Sequence, residues 1–275
     1  MNKSILAIVV ITLLISTAFV GCMKQKERPM EKAKIEKPKP VRMGEVPFHD
    51  DFDSDQLSEY WSIRKDYTGT HCIEDGVLEL TLPYAEGMYY SNAEVFTKGE
   101  KGKSTLDHTN LPYKFNTLKI RAKVDPIAKG SFGWGFYTGS AEIKNAKSIW
   151  FIHLNTPGWY PMKGFNAQCS NGSLLKMSTH RLGEYNLSKW HEYEIRWTER
   201  GAEFYIDDEL VYKNSENVPS GNLKFHAWID NAVFLPRFFP FIFGEGFPFG
   251  GGIFRPITHE IPYPTTVYID YVEIT

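Results

Sequence analysis

The chain has 275 residues, of which 42% are hydrophobic and 15% aromatic, and this is enough for one sizeable β domain. Nineteen Phe and 15 Tyr favour strands, while 22 Gly and 16 Pro mark many turns. The formal net charge of −2 is unevenly spread, because residues 24–42 carry eight Lys and Arg against three Glu. The rest of the chain is therefore acidic, which excludes a basic nucleic-acid-binding surface on the folded domain.

The first 22 residues have the pattern of an export signal. A lysine lies near the start, an apolar run follows from Ile5 to Ile15, and small residues lead to Cys22. The ending Phe-Val-Gly-Cys is similar to a lipobox, in which Cys22 is lipidated and becomes the new N-terminus, although Leu is usual where Phe19 stands. The alternative is an uncleaved signal anchor, because an apolar run of this length can span a bilayer. Either way the sequence predicts export and anchoring to the outer face of a membrane.

Residues 23–45 form a charged, Pro-containing segment with almost no large apolar side chains. Such a segment buries too little surface to fold alone, so we expect a tether. Its basic charge favours contact with anionic headgroups. The folded domain is predicted to span residues 46–275.

Strand patterns follow one another along this domain. Val77–Leu82 and Ser91–Phe96 predict a strand pair, and Lys114–Val124 alternates apolar and charged residues. Ser131–Thr138 and Lys147–Leu154 predict two further strands.

The clearest hairpin runs from Trp190 to Val211. Tyr193, Ile195 and Trp197 alternate with charged residues, which is the period-two pattern of a strand with one buried face. Turn residues and a second alternating run follow. The segment lacks the three- and four-residue spacing of a helix.

This hairpin resembles glycoside hydrolase family 16 and its concanavalin A-like relatives, the lectin and glucanase sandwiches. The resemblance rests on Trp-His-x-Tyr-x-Ile-x-Trp from Trp190 to Trp197 and on Phe-Tyr-Ile-Asp-x-x-x-Val from Phe204 to Val211. Four other segments follow the family's order: Asp50–Trp61, Asp75–Leu80, Lys114–Val124 and Thr265–Ile274. The resemblance implies an all-β fold, a jelly-roll sandwich of two antiparallel sheets, and a polysaccharide or cell-envelope glycan as partner.

In the glucanases the strand that matches Lys147–Leu154 carries Glu-x-Asp-x-Glu, or the same motif with one residue inserted. Residues two apart on a strand face one side, which holds the nucleophile and the acid/base about 5 Å apart for a retaining mechanism. Here Ser148 to His153 contain no carboxylate, and Glu-x-Asp-x-Glu occurs nowhere else in the chain. We therefore predict that the family's catalytic residues are absent.

Aromatic residues suited to stacking on sugar rings lie on the same and neighbouring segments. Trp134, Trp150, Trp159 and Trp228 are predicted to border the concave surface, although any one of them has core packing as its alternative. Trp150 shares a strand face with Ser148 and Ile152.

Two sets of titratable residues are further candidates. His226, Trp228 and Asp230 alternate on one strand and so face one way. They are predicted to bind ligand, with acid/base chemistry or a solvated face as alternatives. Glu142, in a loop beside the predicted strand Lys147–Leu154, is a less favoured candidate for a catalytic acid.

The family resemblance also implies a structural calcium ion, for which the matching positions are Gly76 and Asp270; no other cofactor is required. Cys72 and Cys169 remain after export and either form a disulfide or stay as buried thiols.

Residues 234–257 are rich in Phe, Pro and Gly and interrupt the fold before its last strand. So many Phe residues are not expected to lie bare in water. They shape the ligand site, contact a membrane or a protein, or pack on the domain itself.

Three functions follow from these features. The first is a membrane-anchored, non-catalytic carbohydrate-binding domain. The second is a divergent glycoside hydrolase that uses carboxylates from other strands. The third is a structural or interaction protein that uses the Phe-rich segment.

Overall fold

The computed structural model describes residues 46–98, 111–125, 130–139, 146–155, 162–172, 176–236 and 254–275. These residues belong to one compact unit. The predicted export signal and tether, with Cys22, lie outside them. Within the described ranges no helix is long and apolar enough to cross a membrane.

An eight-stranded antiparallel sheet forms one layer. Its strand order is β13-β12-β11-β6-β17-β4-β3, and β1 pairs with the end of β17. The strands are β1 (Phe48–Asp50), β3 (Thr70–Glu74), β4 (Val77–Leu82), β6 (Thr117–Val124), β11 (His191–Thr198), β12 (Gly201–Ile206), β13 (Glu209–Asn214) and β17 (Thr265–Ile274).

A seven-stranded antiparallel sheet forms the other layer, in the order β10-β9-β8-β7-β14-β5-β2. Its strands are β2 (Trp61–Asp66), β5 (Asn92–Thr97), β7 (Ser131–Tyr137), β8 (Lys147–Leu154), β9 (Gly164–Asn171), β10 (Met177–Arg181) and β14 (Lys224–Asp230). The all-β, two-sheet jelly-roll prediction is confirmed.

The predicted hairpin is present as β11, β12 and β13. Ile195 faces Phe204 across β11 and β12, and Leu118 of β6 on its other side. The alternation works as expected, since Tyr193, Ile195 and Trp197 are at most 1% exposed.

One pairing differs from the prediction. Val77–Leu82 and Ser91–Phe96 do not pair with each other, because β4 lies in the eight-stranded sheet and β5 in the seven-stranded sheet. The chain crosses between the layers after Leu82. Alternation shows only that each strand has one buried face, so it does not reveal which layer a strand joins.

The core between the sheets is rich in interlocking aromatic rings. Phe151 of β8 meets Tyr193 and Phe204 of the opposite sheet edge-on, with ring centroids 5.2 and 5.3 Å apart. Trp134 lies against Tyr193 at 4.7 Å. These contacts across the two layers give the sandwich its thickness and its relative alignment.

The ends of the Phe-rich segment are more regular than expected. Residues 232–236 and 254–258 form a two-stranded ribbon, β15 (Ala232–Pro236) and β16 (Phe254–Thr258), which directly continues β14. Cross-strand pairing supplies the backbone hydrogen bonds that the irregular sequence did not suggest. Residues 237–253 lie outside the described ranges.

Cys72 and Cys169 do not form a disulfide. Cys72 lies on the edge strand β3 of the eight-stranded sheet, whereas Cys169 lies on β9 of the seven-stranded sheet and is buried in the core. Burial raises the pKa of Cys169 to about 12.

We expect Trp134→Ala to lower the free energy of unfolding by about 3–5 kcal/mol, because it leaves a large cavity among the rings of the core. Urea unfolding would measure this loss. Trp190→Ala is the matched control, since Trp190 contacts Arg121 and Lys123 on the outside of the eight-stranded sheet. Equal losses in the two variants would contradict a core role for Trp134.

Candidate functional site

The face of the seven-stranded sheet that is turned away from the core, called here the outer face, carries the candidate site. On β14 the apolar Phe225, Ala227 and Ile229 enter the core. The alternate residues of the strand, His226, Trp228 and Asp230 among them, therefore lie on the outer face, as the alternation predicted.

Trp150 and Trp228 meet at the middle of the outer face, and we call them the Trp pair. Their ring centroids are 4.9 Å apart, and Tyr137 of β7 packs against Trp150 at 5.0 Å. Gln168 of β9 fixes the Trp150 ring by accepting a 2.8 Å hydrogen bond from its Nε1. The structure thus brings together two of the predicted stacking residues.

Glycines on β7 make room for this pair. A Cβ at Gly133 would lie 2.6 Å from the Trp228 ring, and one at Gly135, where φ is +152°, would lie 2.5 Å from the Trp150 Cα. Both contacts are too short for a side chain. Gly133 therefore leaves room for the Trp228 indole, and Gly135 lets the Trp150 backbone approach β7 closely.

Aliphatic residues occupy the outer face beyond Trp150, toward β9 and β10. Ile152, Leu154 and Met162 form a small buried cluster that is separate from the main core, with Met177 beside it. The cluster covers the end of β8. The outward residues of the neighbouring strand β9, Asn166, Gln168 and Ser170, are polar.

Charged and phenolic residues occupy the other half, on β2, β5 and β14. His226 Nδ1 lies 2.5 Å from Glu94 Oε1, and Arg64 pairs with Asp66 at 2.8 Å. We call this side of the outer face its polar half, and the Trp pair lies at its edge.

Asp230 binds its neighbours through both carboxylate oxygens. Oδ1 accepts the backbone N–H of Ala232 at 2.9 Å, and Oδ2 accepts the Tyr90 hydroxyl at 3.5 Å. These two contacts hold the Asp230 carboxyl group in place.

The two buried carboxyl groups have opposite pKa shifts. Burial, and then the charge of Glu94, raises the pKa of Asp230 to about 7. Burial also acts to raise the pKa of Glu94, but the hydrogen bond and charge of His226, together with Arg64, outweigh it and lower that pKa. Burial lowers the pKa of His226. The contact with His226 therefore favours an ionised Glu94, while burial opposes a charge on the imidazole.

The other predicted residues have mixed outcomes. Trp134 is fully buried in the core, so its prediction as a ligand-binding residue is wrong. Its side chain points from β7 toward the core, and the residues on either side of it, Gly133 and Gly135, are the ones on the outer face. His226 and Asp230 lie on the outer face but are only 1% and 3% exposed. Trp159 and Glu142 lie outside the described residues.

Sequence reasoning missed Glu94, Arg64, Tyr90 and Tyr137. Glu94 alternates with Ala93 and Val95, which signals a strand face, but only the register of β5 on β14 places it opposite Trp228. That register joins residues more than 130 positions apart. No local pattern encodes it.

At the predicted calcium site, the carboxylate of Asp270 forms an ion pair with Arg121. Asp270 Oδ2 accepts a 2.6 Å hydrogen bond from Arg121 Nη1, while Gly76 lies in the turn between β3 and β4. A guanidinium at this distance neutralises the charge that a calcium ion needs, so these two residues do not fit the ion as they stand. The described residues contain no group of three or more His, Cys, Asp or Glu side chains able to hold a metal.

The raised pKa of Asp230 predicts a pH-dependent stability. In the unfolded chain this carboxyl ionises near its ordinary value of 3.8, whereas in the fold it keeps its proton to about 7. The folded state binds more protons between these values, so the free energy of unfolding falls as pH rises from about 4 to about 7. The loss is at most about 1.4 kcal/mol per pH unit.

Asp230→Asn replaces the titrating carboxyl group with an amide that does not titrate. It should therefore remove the contribution of Asp230 to the pH dependence of the free energy of unfolding. Urea unfolding of both proteins at several pH values between 5 and 8 would measure the difference. We expect the variant to gain stability relative to the natural protein as pH rises. Parallel curves would show that Asp230 ionises alike in the folded and unfolded states.

The geometry described above accords with comparisons to known proteins. Residues 87–229, just over half of the chain, match the sequence profile of glycosyl hydrolases family 16. No curated protein matches the chain.

Several solved structures share the fold at low sequence identity. A β-1,3-1,4-glucanase (lichenase) from a mouse hindgut metagenome is 15% identical, with a TM-score of 0.54 over 82% of this chain and 97% of its own. A glycoside hydrolase family protein from Mycobacterium thermorestibile is 16% identical, with a TM-score of 0.55 over 84% and 100%. A β-1,3-glucanase from Mycobacterium marinum is 16% identical, with a TM-score of 0.51 over 83% and 97%. Because the profile spans more than half of the chain and the sandwich agrees with it, this chain belongs to glycosyl hydrolases family 16.

Proposed function

We propose that this protein is an extracytoplasmic, membrane-anchored domain that binds a polysaccharide or cell-envelope glycan on the outer face of its seven-stranded sheet without hydrolysing it. The observation that carries the proposal is the Trp pair. Two indoles at 4.9 Å, partly exposed at the middle of a face that also carries Arg64, Asp66 and Glu94, combine a stacking surface with hydrogen-bonding groups. Ligand sites commonly have this combination.

The residues of β8 support a binding role over catalysis. On its outer face this strand carries Ser148, Trp150 and Ile152, where the glucanases carry their nucleophile and acid/base. None of these three side chains is an acid at neutral pH. Ser148 and Ile152 are only 2% and 4% exposed, so Trp150 is the side chain of the three that can contact a sugar, and none of the three can protonate a glycosidic oxygen.

The names of the structural relatives suggest which glycans to test first. One is a β-1,3-1,4-glucanase and another a β-1,3-glucanase. Mixed-linkage β-glucan and β-1,3-glucan are therefore the first probes. Isolated cell-envelope glycan is the next.

We expect the protein to bind one of these glycans and Trp228→Ala to weaken binding at least tenfold, because the indole supplies the stacking surface. Trp150→Ala should act in the same direction. Affinity electrophoresis and calorimetry would measure the loss, and melting curves would confirm that the variants fold. Trp190→Ala, on the other sheet, is the matched control and should bind normally; equal loss in this control would contradict the proposed surface.

A divergent hydrolase is the second candidate, and one observation favours it. Glu94 and Asp230 lie diagonally on neighbouring strands, which sets their Cα atoms about 7–8 Å apart, and their pKa values are shifted in opposite directions. A protonated acid beside an ionised carboxylate is the pairing that glycoside hydrolysis needs. Both groups are largely buried, however, so binding remains the better-supported function.

The same incubations separate the two candidates. The binding proposal predicts no release of reducing ends from any bound glycan. Release that Glu94→Gln and Asp230→Asn both abolish would replace it with hydrolysis by this pair.

The membrane anchor is a proposal that rests on the sequence of residues 1–22. We expect the full-length protein to fractionate with membranes and Cys22→Ala to prevent lipid attachment, which metabolic labelling with a fatty acid would detect. A lipid label that persists in Cys22→Ala would contradict lipidation at this cysteine. Membrane retention without any label would favour the uncleaved signal anchor.

A further inference from the structure

A second aromatic surface lies outside the Trp pair. Most of the strongly exposed large hydrophobic side chains among the described residues lie in turns beside β2, β4, β5 and β17: Tyr67, Tyr84, Met88, Tyr89 and Tyr263. Two of them stack on each other. The Tyr67 and Tyr89 rings have centroids 4.8 Å apart and planes tilted by 32°, and these side chains are 59% and 49% exposed. We call this pair the tyrosine platform.

The platform is held in place on its β2–β3 side by close backbone packing. A Cβ at Gly69 would lie 1.9 Å from the Asn92 carbonyl oxygen, so only glycine lets the turn after Tyr67 approach the start of β5 this closely. Thr68 Oγ1 also donates a 3.0 Å hydrogen bond to Ser91 Oγ. Tyr67 itself has a positive φ of 50°. These contacts fix the turn against the segment that carries Tyr89.

Asn231 holds the other tyrosine. This fully buried side chain donates from Nδ2 to the Tyr89 carbonyl at 2.9 Å and to the His259 carbonyl at 3.1 Å. Its Oδ1 accepts the Ser91 N–H at 2.9 Å. Two exposed rings on so constrained a backbone form a preformed surface, and a preformed surface loses little entropy on binding.

The platform adjoins the polar half of the outer face. Tyr90, which follows Tyr89, hydrogen-bonds Asp230 and packs under the Arg64 guanidinium at 5.9 Å. Asp66, which precedes Tyr67, pairs with Arg64. Groups that hydrogen-bond sugar hydroxyls therefore lie between the Trp pair and the platform.

The spacing indicates the size of the ligand. Trp228 faces Glu94 across β14 and β5, and Tyr89 precedes Glu94 by five residues, which is at most about 17 Å of chain. A short saccharide occupies one surface, and a longer chain can occupy both. From the Trp pair to the tyrosine platform, the surface is first aromatic, then polar and then aromatic again. This order suits a polysaccharide, which offers both sugar-ring faces and hydroxyl groups along its chain.

We propose that the tyrosine platform is a second subsite for an extended oligosaccharide whose other end lies on the Trp pair. This inference rests on the proposed glycan-binding function. It adds a ligand class to that function, because it requires a chain long enough to span both surfaces. The exposed phenol rings supply stacking, and Arg64 and Asp66 contact the hydroxyls between them.

The test measures affinity against chain length. The full-length protein in mild detergent is titrated calorimetrically with β-1,3-1,4-gluco-oligosaccharides from the disaccharide to the hexasaccharide. We expect the affinity to rise with length, and the double variant Tyr67→Ala/Tyr89→Ala to lose roughly fivefold or more for the hexasaccharide while keeping the disaccharide affinity. Tyr67→Phe/Tyr89→Phe should keep most of the length dependence, because it preserves the rings.

Leu210→Ala is the control, since Leu210 is 49% exposed on the other sheet. Hexasaccharide affinity that the double alanine variant leaves unchanged would overturn the platform but not the Trp pair. Equal loss for both saccharides, with a lower melting temperature, would assign the tyrosines a structural role and overturn the subsite. Unchanged affinity with reduced self-association in sedimentation would assign the surface to contacts between copies. Failure of the natural protein to bind these oligosaccharides, β-1,3-glucan and isolated cell-envelope glycan would overturn both proposals.

Discussion

The pairing of β14 with both β5 and β7 is the constraint on which the outer face depends. Its register sets Trp228 opposite Glu94 on one side and opposite Gly133 on the other. The first neighbour supplies a carboxylate, and the second supplies the empty space that the indole fills. A shift of one residue would turn every outward side chain of β14 into the core. The position of the Trp pair therefore follows from a backbone arrangement rather than from a local motif.

The two faces of β8 serve different purposes. The inner face carries Ile149 and Phe151, which pack in the core between the sheets. The alternate residues Ser148, Trp150 and Ile152 lie on the outer face. Because the two faces of a strand point to opposite sides, substitutions on the outer face leave the core packing of the inner face unchanged. The proposed binding role therefore requires no change in the core of the family fold.

The strands were predictable where alternation is strong, and the site was predictable only in part. Tyr193 to Trp197 and Lys114 to Val124 show period two clearly, and β17 has the predicted bounds. Trp134 was misassigned because an aromatic residue between two glycines offers no sign of which face is outward. Glu94 was missed because its partner His226 is 132 residues away in the chain. Neither composition nor periodicity shows which distant strands pair, or in which register.

Buried polar residues hold the surroundings of both aromatic surfaces in place. An acid as buried as Asp230 is costly if ionised and unpaired, and the cost falls when it keeps its proton or accepts hydrogen bonds. Here it accepts hydrogen bonds from Tyr90 and the Ala232 backbone, which ties the end of β14 to the segment that carries Tyr89. Asn231, the next residue, donates a hydrogen bond to the Tyr89 carbonyl. Two adjacent buried polar residues thus fix the backbone of the tyrosine platform, whereas Gln168 fixes the Trp150 ring of the Trp pair.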